Sequence, residues 1–370
     1  MPGTRFWYAT KETERPAPVS TPSSPLAVAR RRRRAALLLL FALMALGVAA
    51  GMAVGSRAIA PAETLEALRH ALGCAGGPFA CPAESTIEEI VRGYRVPRTA
   101  LALIAGLALG ATGALIQGYT RNPLADSGLL GLNAGAAFLG ALGVYLFGFT
   151  DPRQYIWFAM AGALIAGVVV FSASSVGGGR ASPLSLVLAG AAVTAFLQAM
   201  TQAVVLFDAT VLDTYRFWVV GTVAGRDAAV FWQVLPFITL GALMAVAAAP
   251  GLNLLGLGDD VARGLGVNVE RSRAFGLTAV VLLCGAATAA VGPIAFLGLV
   301  VPHIARRFTG PDHRWLIPAA ALMGAVLLLF ADTLGRVVTR GGEIQVGVML
   351  AVLGAPYFIA LVRRRKVVSL

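Results

Sequence analysis

Residues 99–117 read TALALIAGLALGATGALIQ and contain no charged side chain. Gly106, Gly110 and Gly113 follow one another at near-helical spacing within this stretch. About 20 apolar residues in a helix are enough to cross the roughly 30 Å hydrocarbon layer of a bilayer. Small residues at this spacing let helix backbones approach closely in lipid. The stretch therefore predicts a membrane-spanning helix packed inside a compact bundle.

Similar apolar runs recur along the chain. There are ten in total, at residues 35–55, 99–117, 127–149, 155–176, 183–207, 231–255, 274–291, 294–305, 315–334 and 344–362. The run 294–305 is short for a full crossing and lies between Pro293 and Arg306, so we interpret it as a half-span inside the bundle, where broken helices are tolerated. We expect an all-α membrane protein, a polytopic bundle of about ten transmembrane helices over residues 35–365.

The composition of the whole chain excludes several classes of protein. Of its 370 residues, 58% are hydrophobic and only 13% are charged, whereas soluble domains carry about 25% charge. The net charge is +12, but the cations lie between apolar runs, which argues against a nucleic-acid partner. Neither of the lysines, Lys11 and Lys366, follows a glycine-rich stretch. The chain therefore has no phosphate loop, and we expect it not to hydrolyse ATP.

The distribution of basic residues predicts the orientation of the bundle. Residues 1–34 are rich in proline, serine, threonine and charge, which is typical of a disordered tail, and they end in the run Arg30 to Arg34. With the N-terminus inside and the spans alternating, 20 of the 30 lysines and arginines fall on the inner side. The positive-inside rule then places both termini in the cytoplasm.

Arginines cluster at two outer span ends. Arg95 and Arg98 open the second span, while Asp332, Arg336 and Arg340 form a helical stripe at the end of the ninth. One interpretation is that Asp332 and Arg336 neutralise each other while the remaining arginines extend to water. The presence of arginine pairs at two outer span ends favours the other interpretation, a docking site for an acidic partner.

A loop on the cytoplasmic side, residues 256–270, carries Leu257, Val261 and Leu265 at positions i, i+4 and i+8. This spacing predicts a short amphipathic helix. An apolar stripe on the aqueous side of a membrane protein is typical of a surface that meets another protein. We therefore expect the loop to bind a cytoplasmic partner.

Two other functions remain open on the sequence alone. The stretch Gly256-Leu-Gly258-Asp259 matches the pattern of intramembrane aspartyl proteases, whose mechanism needs a second carboxylate opposite the first. The available carboxylates, Asp208 and Asp332, fall on the outer side in the predicted topology. A proton-coupled secondary transporter would need a relay of ionisable groups at mid-membrane. The span centres show none.

The chain has three cysteines and three histidines. Cys74 and Cys81 lie in the first outer loop, 62–94, and an oxidising compartment would favour a disulfide between them over two free thiols. Cys284, inside the seventh span, is expected to be a small apolar core residue. The histidines are too scattered to indicate a metal site.

Several separated motifs together resemble the FecCD-type permease subunits of bacterial ABC importers for iron-siderophores, haem and cobalamin. They are Arg95-Val-Pro-Arg98, Gly113-Ala-Leu-Ile-Gln117, Arg121-Asn-Pro-Leu-Ala-Asp126, Gly128-Leu-Leu-Gly131, Trp218 with Gly221, Ala262-x-x-Leu-Gly266, Gly292-Pro-Ile-Ala-Phe-Leu-Gly298, Val301-Pro-His303, Ala331-Asp332 and Gly354-Ala-Pro356. The resemblance covers about residues 60–365.

The resemblance implies ten spans, with an inverted repeat relating spans two to five to spans seven to ten. It also implies a homodimer, or a heterodimer with a similar permease, in the bacterial inner membrane. Two cytoplasmic ATPase subunits would bind ATP and Mg²⁺, so the permease itself needs no cofactor. A substrate-binding protein, periplasmic or lipid-anchored, would deliver the chelate from outside.

The same resemblance implies roles for particular residues. Arg95, Arg98 and Arg336 would receive acidic residues of the binding protein. The coupling helix that sits on the ATPase would include Leu257, Gly258, Val261, Ala262, Leu265 and Gly266. The tail 1–34 is longer than the family needs, and Arg340 matches no family role.

Overall fold

A computed structural model describes residues 25–55, 57, 59–74, 82–174, 183–339 and 342–364. All regular structure in these ranges is helical. Ten helices coincide with the ten predicted spans: α1 (Pro25–Ala53), α4 (Val96–Tyr119), α5 (Leu132–Phe147), α6 (Pro152–Ser174), α7 (Pro183–Phe207), α9 (Ala228–Leu255), α11 (Val269–Val291), α12 (Leu297–Thr309), α13 (His313–Gly335) and α14 (Val346–Arg364). The shorter helices are α2 (Pro61–Leu72), α3 (Thr86–Ile90), α8 (Ala209–Val219) and α10 (Asp259–Gly264).

Two irregular helical segments complete the described structure. A π-helical turn, Val91–Arg95, leads from α3 into α4, and a short 3₁₀ helix, Ser127–Leu130, precedes α5. Seven of the ten long helices are long and apolar enough to cross a membrane. The other three are shorter, and α12 has only 13 residues. At 1.5 Å per residue α12 spans about 20 Å, which confirms the predicted half-span.

The first helix begins earlier than predicted. Residues 1–34 were expected to form a disordered tail, but α1 starts at Pro25 and includes all five arginines of the run Arg30–Arg34. Arginine is a good helix former, and two of these side chains contact the bundle. Arg32 Nη2 donates to the carbonyl oxygen of Arg307 at 3.0 Å, and the Arg33 guanidinium lies 5.9 Å from the ring centroid of Trp315. Residues 1–24 lie outside the described residues.

Helix α4 lies at the centre of the bundle and packs against α13, α11, α12 and α9. Its predicted glycine stripe meets neighbouring backbones directly. A Cβ atom at Gly110 would lie 2.2 Å from the carbonyl oxygen of Ala320, and one at Gly113 would lie 2.0 Å from that of Gly298. These distances leave no room for any side chain. Glycine is therefore required where α4 crosses α13 and the start of α12.

The helices α4–α7 and α11–α14 follow the same order, a long helix followed by a short one and two more spans. The short helices α5 and α12 share unusual ends. Each begins after a residue in the left-handed conformation, Gly131 (φ 70°) and Phe296 (φ 66°). Each ends at a glycine with positive φ, Gly148 (69°) and Gly310 (78°). Because corresponding helices are five spans apart, the two halves cross in opposite directions, as an inverted repeat requires.

The bundle has two polar faces. We call one the arginine face; it contains the end of α1, the start of α4 and the end of α13, joined by Arg95, Arg98 and Arg336. We call the other the α10 face; it contains α10, the end of α4 and the start of α11. There, the Tyr119 hydroxyl donates to the carbonyl oxygen of Ser272 at 3.2 Å.

Replacing Gly110 with alanine is expected to destabilise the folded bundle, because the new methyl group would overlap the Ala320 carbonyl. Overpacking of this kind costs about 1–3 kcal/mol. The thermal unfolding temperature in detergent measures the effect. Gly128→Ala is the matched control, because a Cβ at Gly128 meets no atom within 4 Å. Equal unfolding temperatures for the two variants would contradict the packing described for α4.

Candidate functional sites on the two membrane faces

Arg95 lies on the arginine face and is only 4% exposed. Its Nη1 donates to the carbonyl oxygens of Met52 at 2.7 Å and Ala53 at 3.0 Å. Its Nη2 donates to the carbonyl oxygen of Arg57 at 2.5 Å. The last carbonyls of a helix have no partner within the helix. Arg95 therefore caps the end of α1.

Arg336 is 5% exposed and acts on the same helix end. Its Nη1 donates to the carbonyl oxygens of Gly51 at 2.9 Å and Val54 at 3.2 Å. Its Nε donates to Asp332 Oδ2 at 3.1 Å. Asp332 is buried and also accepts from Arg98 Nη2 at 2.8 Å. Two arginines thus share one buried carboxylate and tie α4 and α13 to the end of α1.

These contacts agree with the first interpretation of the outer arginines for Arg336, which pairs with Asp332, and docking stays a prediction. The guanidinium groups of Arg95 and Arg336 face backbone carbonyls and Asp332 instead of solvent, so their placement does not support the docking role predicted for them. Arg98 also donates to Glu343 Oε2 at 2.6 Å, nearer the surface. Docking through Arg98 stays a prediction. Arg340 lies outside the described residues.

On the opposite face, α10 presents the predicted apolar stripe. Leu257, Val261 and Leu265 are between 51% and 62% exposed, whereas Ala262 is buried against the bundle. The helix itself has six residues, so Leu257 and Leu265 flank it instead of belonging to it. The stripe nevertheless forms one exposed apolar surface on the α10 face.

Two glycines and one carboxylate hold α10 in place. Gly258 and Gly266 flank α10 with φ values of 111° and 84°, which side chains rarely adopt. Between them, Asp259 accepts from Arg273 Nη2 at 3.0 and 2.9 Å and also pairs with Arg121. Partial burial raises the pKa of Asp259, but the charge of Arg273 and the hydrogen bond from Arg121 outweigh it and hold that pKa below its usual value.

The Asp259 ion pairs connect α10 to two spans. Arg121 follows the end of α4 in the left-handed conformation, with φ 49°, and its Nη2 also donates to the carbonyl oxygen of Leu255 at 2.6 Å. Arg273 lies in the first turns of α11 and is buried. A displacement of α10 would therefore act directly on α4 and α11. This role is not visible in the sequence, because Arg121 lies 138 residues from Asp259 and no local spacing links Asp259 to Arg273.

The protease alternative is wrong. Asp259 lies on the α10 face, paired with two arginines, whereas Asp332 lies on the arginine face. Asp208 begins α8, where its Oδ1 accepts from the backbone N–H groups of Thr210 at 2.7 Å and Val211 at 3.1 Å. These carboxylates cannot form the dyad that an aspartyl protease needs.

The helices before α4 are joined by a charged cluster. His70 Nδ1 lies 2.7 Å from Glu88 Oε1, and Arg92 Nη1 donates to the same oxygen at 2.6 Å. The backbone N–H of Glu84 donates to Glu88 Oε2 at 2.9 Å. Hydrogen bonds from Glu84 and His70 lower the pKa of Glu88 to about 2, and the bond to Glu88 raises the pKa of His70. The cluster links α2 to α3 and the π-helical turn.

Of the predictions made for the three cysteines, the structure tests the one for Cys284. Cys74 follows α2, but Cys81 lies outside the described residues. The disulfide predicted between them therefore stays a prediction. Cys284 is fully buried in α11, which confirms the expectation that it is a core residue.

The family model and the relatives reported below identify this bundle as a transport permease. A solved ABC transporter of metal-chelate type, in an inward-facing conformation, has the same fold with a TM-score of 0.75. The alignment covers 90% of this chain and 99% of that one, at 24% sequence identity. The sequence model of the FecCD transport family matches residues 39–364, and the chain belongs to this family.

Individual relatives are similar over most of their length. The ferric enterobactin permease FepD of Escherichia coli is 43% identical over 88% of this chain and 94% of the relative. The hemin permease HmuU of Yersinia pestis is 38% identical over 74% of this chain and 82% of the relative. YfiZ of Bacillus subtilis, a probable siderophore permease, is 36% identical over 74% of this chain and 83% of the relative.

Replacing Arg336 with glutamine is expected to lower the thermal unfolding temperature of the isolated chain, because α1 loses a cap and Asp332 loses a partner. Removing one member of a buried ion pair costs about 3–5 kcal/mol, and the remaining Arg98 reduces this cost. Arg216→Gln is the control, since Arg216 is exposed on α8. An unchanged unfolding temperature for Arg336→Gln would instead favour docking as the role of this arginine.

Proposed function

We propose that this chain is the permease of an ATP-driven importer that carries a ferric chelate from an outer binding protein into the cytoplasm. Membership of the FecCD family and the ABC-transporter fold support the transport class. Relatives named for ferric enterobactin, hemin and ferric dicitrate transport support an iron chelate as the cargo. The most similar of these relatives, at 43% identity, favours a siderophore complex over haem.

The observation that carries this proposal is the exposed stripe of Leu257, Val261 and Leu265. A short helix outside the membrane, apolar on its exposed side and held by ion pairs on its inner side, is suited to sit in a cleft of another protein. Because the chain has no phosphate loop, that protein would be the ATPase, which binds ATP and Mg²⁺. The permease would be neither an enzyme nor a cofactor-binding protein.

The α10 face is then cytoplasmic. Within the run Arg30–Arg34 of α1, Arg32 contacts the end of α12 and Arg33 the start of α13, next to this face. This placement agrees with the positive-inside rule. Both termini would lie in the cytoplasm of a bacterium, and the multi-pass bundle in its inner membrane. The arginine face would point to the binding protein.

A second permease, identical or similar, would cover the sides of α7 and α14. Leu188 and Phe196 on α7 are exposed, as are Val352 and Ile359 on α14. These helices are the last members of the two repeats, so a dimer would bring two such pairs together around one path. ATP-driven closure of the ATPase subunits would move α10, and through Asp259 it would move α4 and α11. The cavity between the permeases would thereby change its access.

The double variant Val261→Asp with Leu265→Asp is expected to abolish co-purification of the co-expressed ATPase subunit, because two carboxylates would have to be buried without partners. Affinity purification in detergent followed by quantification of the ATPase measures this. Leu212→Asp is the control, because it introduces a carboxylate at an exposed leucine of α8, outside the α10 face. Wild-type recovery of the ATPase with the double variant, eluting as a folded protein, would refute the coupling role.

A further inference from the structure

A cavity of about 370 Å³ opens between the start of α6, α8 and the α8–α9 connection. Beside the cavity, Arg153 near the start of α6 pairs with Asp227, which comes just before α9. The start of α9 shares a groove with the start of α4, where Pro97 and Trp232 line the same space. Because the start of α4 belongs to the arginine face, the cavity lies on that face. None of the roles assigned above involves this cavity.

The cavity wall contains a buried arginine with unused hydrogen-bonding capacity. Arg226 is 8% exposed. Its Nη1 donates to the Tyr155 hydroxyl at 2.6 Å, and its Nε is buried without a partner. Its neighbour in the chain, Asp227, pairs with Arg153 instead, and Asp213 at the cavity mouth pairs with Arg216 at 3.2 Å. Among the described residues, Arg226 therefore has no carboxylate partner.

A buried guanidinium without an anion is costly, and such groups are normally paired. The protein nevertheless holds Arg226 in a defined place. The Thr222 N–H donates to the carbonyl oxygen of Val291 at 2.7 Å, and Thr222 Oγ1 accepts from the Ala224 N–H at 3.1 Å. Gly225, with φ 69°, turns the chain into Arg226. The connection is thus built to present this side chain to the cavity.

The rest of the lining fits an anion that is oxygen-rich and partly apolar. The hydroxyl-bearing side chains of Thr214 and Thr222 line the cavity together with the aromatic side chains of Phe217 and Trp218. Guanidinium groups form strong, directional hydrogen bonds to paired anionic oxygens. Aromatic faces provide apolar contact for a planar ligand.

We propose that this cavity receives an anionic oxygen group of the ferric chelate, a carboxylate or catecholate, when the chelate reaches the permease from the arginine face. This inference rests on the proposed function and narrows its cargo to chelates with net negative charge. A neutral tris-hydroxamate complex would leave Arg226 without a counter-ion. Arg226 would therefore be a specificity-determining residue for import.

The test measures binding of two ferric complexes to the purified full-length chain by quenching of tryptophan fluorescence. The anionic probe is ferric tris(2,3-dihydroxybenzoate), and the neutral probe is ferric tris(acetohydroxamate). We expect Arg226→Gln to weaken binding of the anionic probe by about tenfold or more, as for loss of a charge-assisted hydrogen bond. Arg226→Lys should weaken it less, and binding of the neutral probe should not change in either variant.

Arg314→Gln is the matched control, because Arg314 is an exposed arginine at the start of α13, at the end of that helix opposite to the arginine face. It should bind both probes like the wild type. Equal affinity of Arg226→Gln and wild type for the anionic probe would overturn the proposal. A lipid phosphate is the other source of anionic oxygens. Native mass spectrometry showing a phospholipid retained by the wild type and absent from Arg226→Gln would overturn it in favour of a lipid site.

Uptake by the complete transporter separates failure of this inference from failure of the proposed function. Vesicles that contain the complete transporter, with either the wild-type chain or Arg226→Gln, are compared. If the wild-type vesicles import ferric chelates and the variant vesicles import the anionic chelate at the same rate, the cavity has no role in specificity although the transporter functions as proposed. If wild-type vesicles import neither chelate, the proposed function itself is wrong. Selective loss of anionic uptake in Arg226→Gln supports both.

Discussion

Direct contact between the backbone of α4 and its neighbours is the constraint on which the rest of this bundle depends. Lipid tails are as apolar as leucine, so helices in a bilayer gain little from burying large apolar side chains and associate instead through close packing. Gly110 and Gly113 bring α4 onto the carbonyls of Ala320 and Gly298. Gly135 and Gly162 make the same kind of contact between α5 and α6. The glycines thus position both short helices, α5 and α12.

Charged side chains supply hydrogen-bond partners for the backbone at the ends of the helices. In lipid every backbone polar group needs a partner within the protein, and Arg95 and Arg336 supply partners for the end of α1. On the other face, Asp259 connects α10 to α4 and α11 through two arginines. The same central helix therefore contacts the capped helix end on one face and the proposed coupling helix on the other. This continuity gives the proposed ATP-driven movement a mechanical path across the membrane.

The sequence predicted the features that depend on local pattern. Apolar length identified all ten long helices, and the spacing of Leu257, Val261 and Leu265 identified the exposed stripe. Features that depend on contacts between distant parts of the chain could not be predicted in this way. The carbonyls capped by Arg95 lie about 40 residues away in the chain, so its burial could not be predicted from spacing. The contact of Arg226 with Tyr155, 71 residues away, could not be predicted for the same reason. The glycine pattern before Asp259 pointed only to a protease, and the pairing of Asp259 with Arg121, 138 residues away, could not be predicted either.

The most direct test of the account is accumulation of an iron-55 siderophore complex in vesicles that contain this chain. The account predicts uptake only when the chain is reconstituted with its ATPase subunit, with ATP on the α10 side and the loaded binding protein on the arginine side. A proton gradient alone should produce no accumulation. Uptake by the chain without the ATPase, driven by such a gradient, would contradict the account and support a secondary transporter instead.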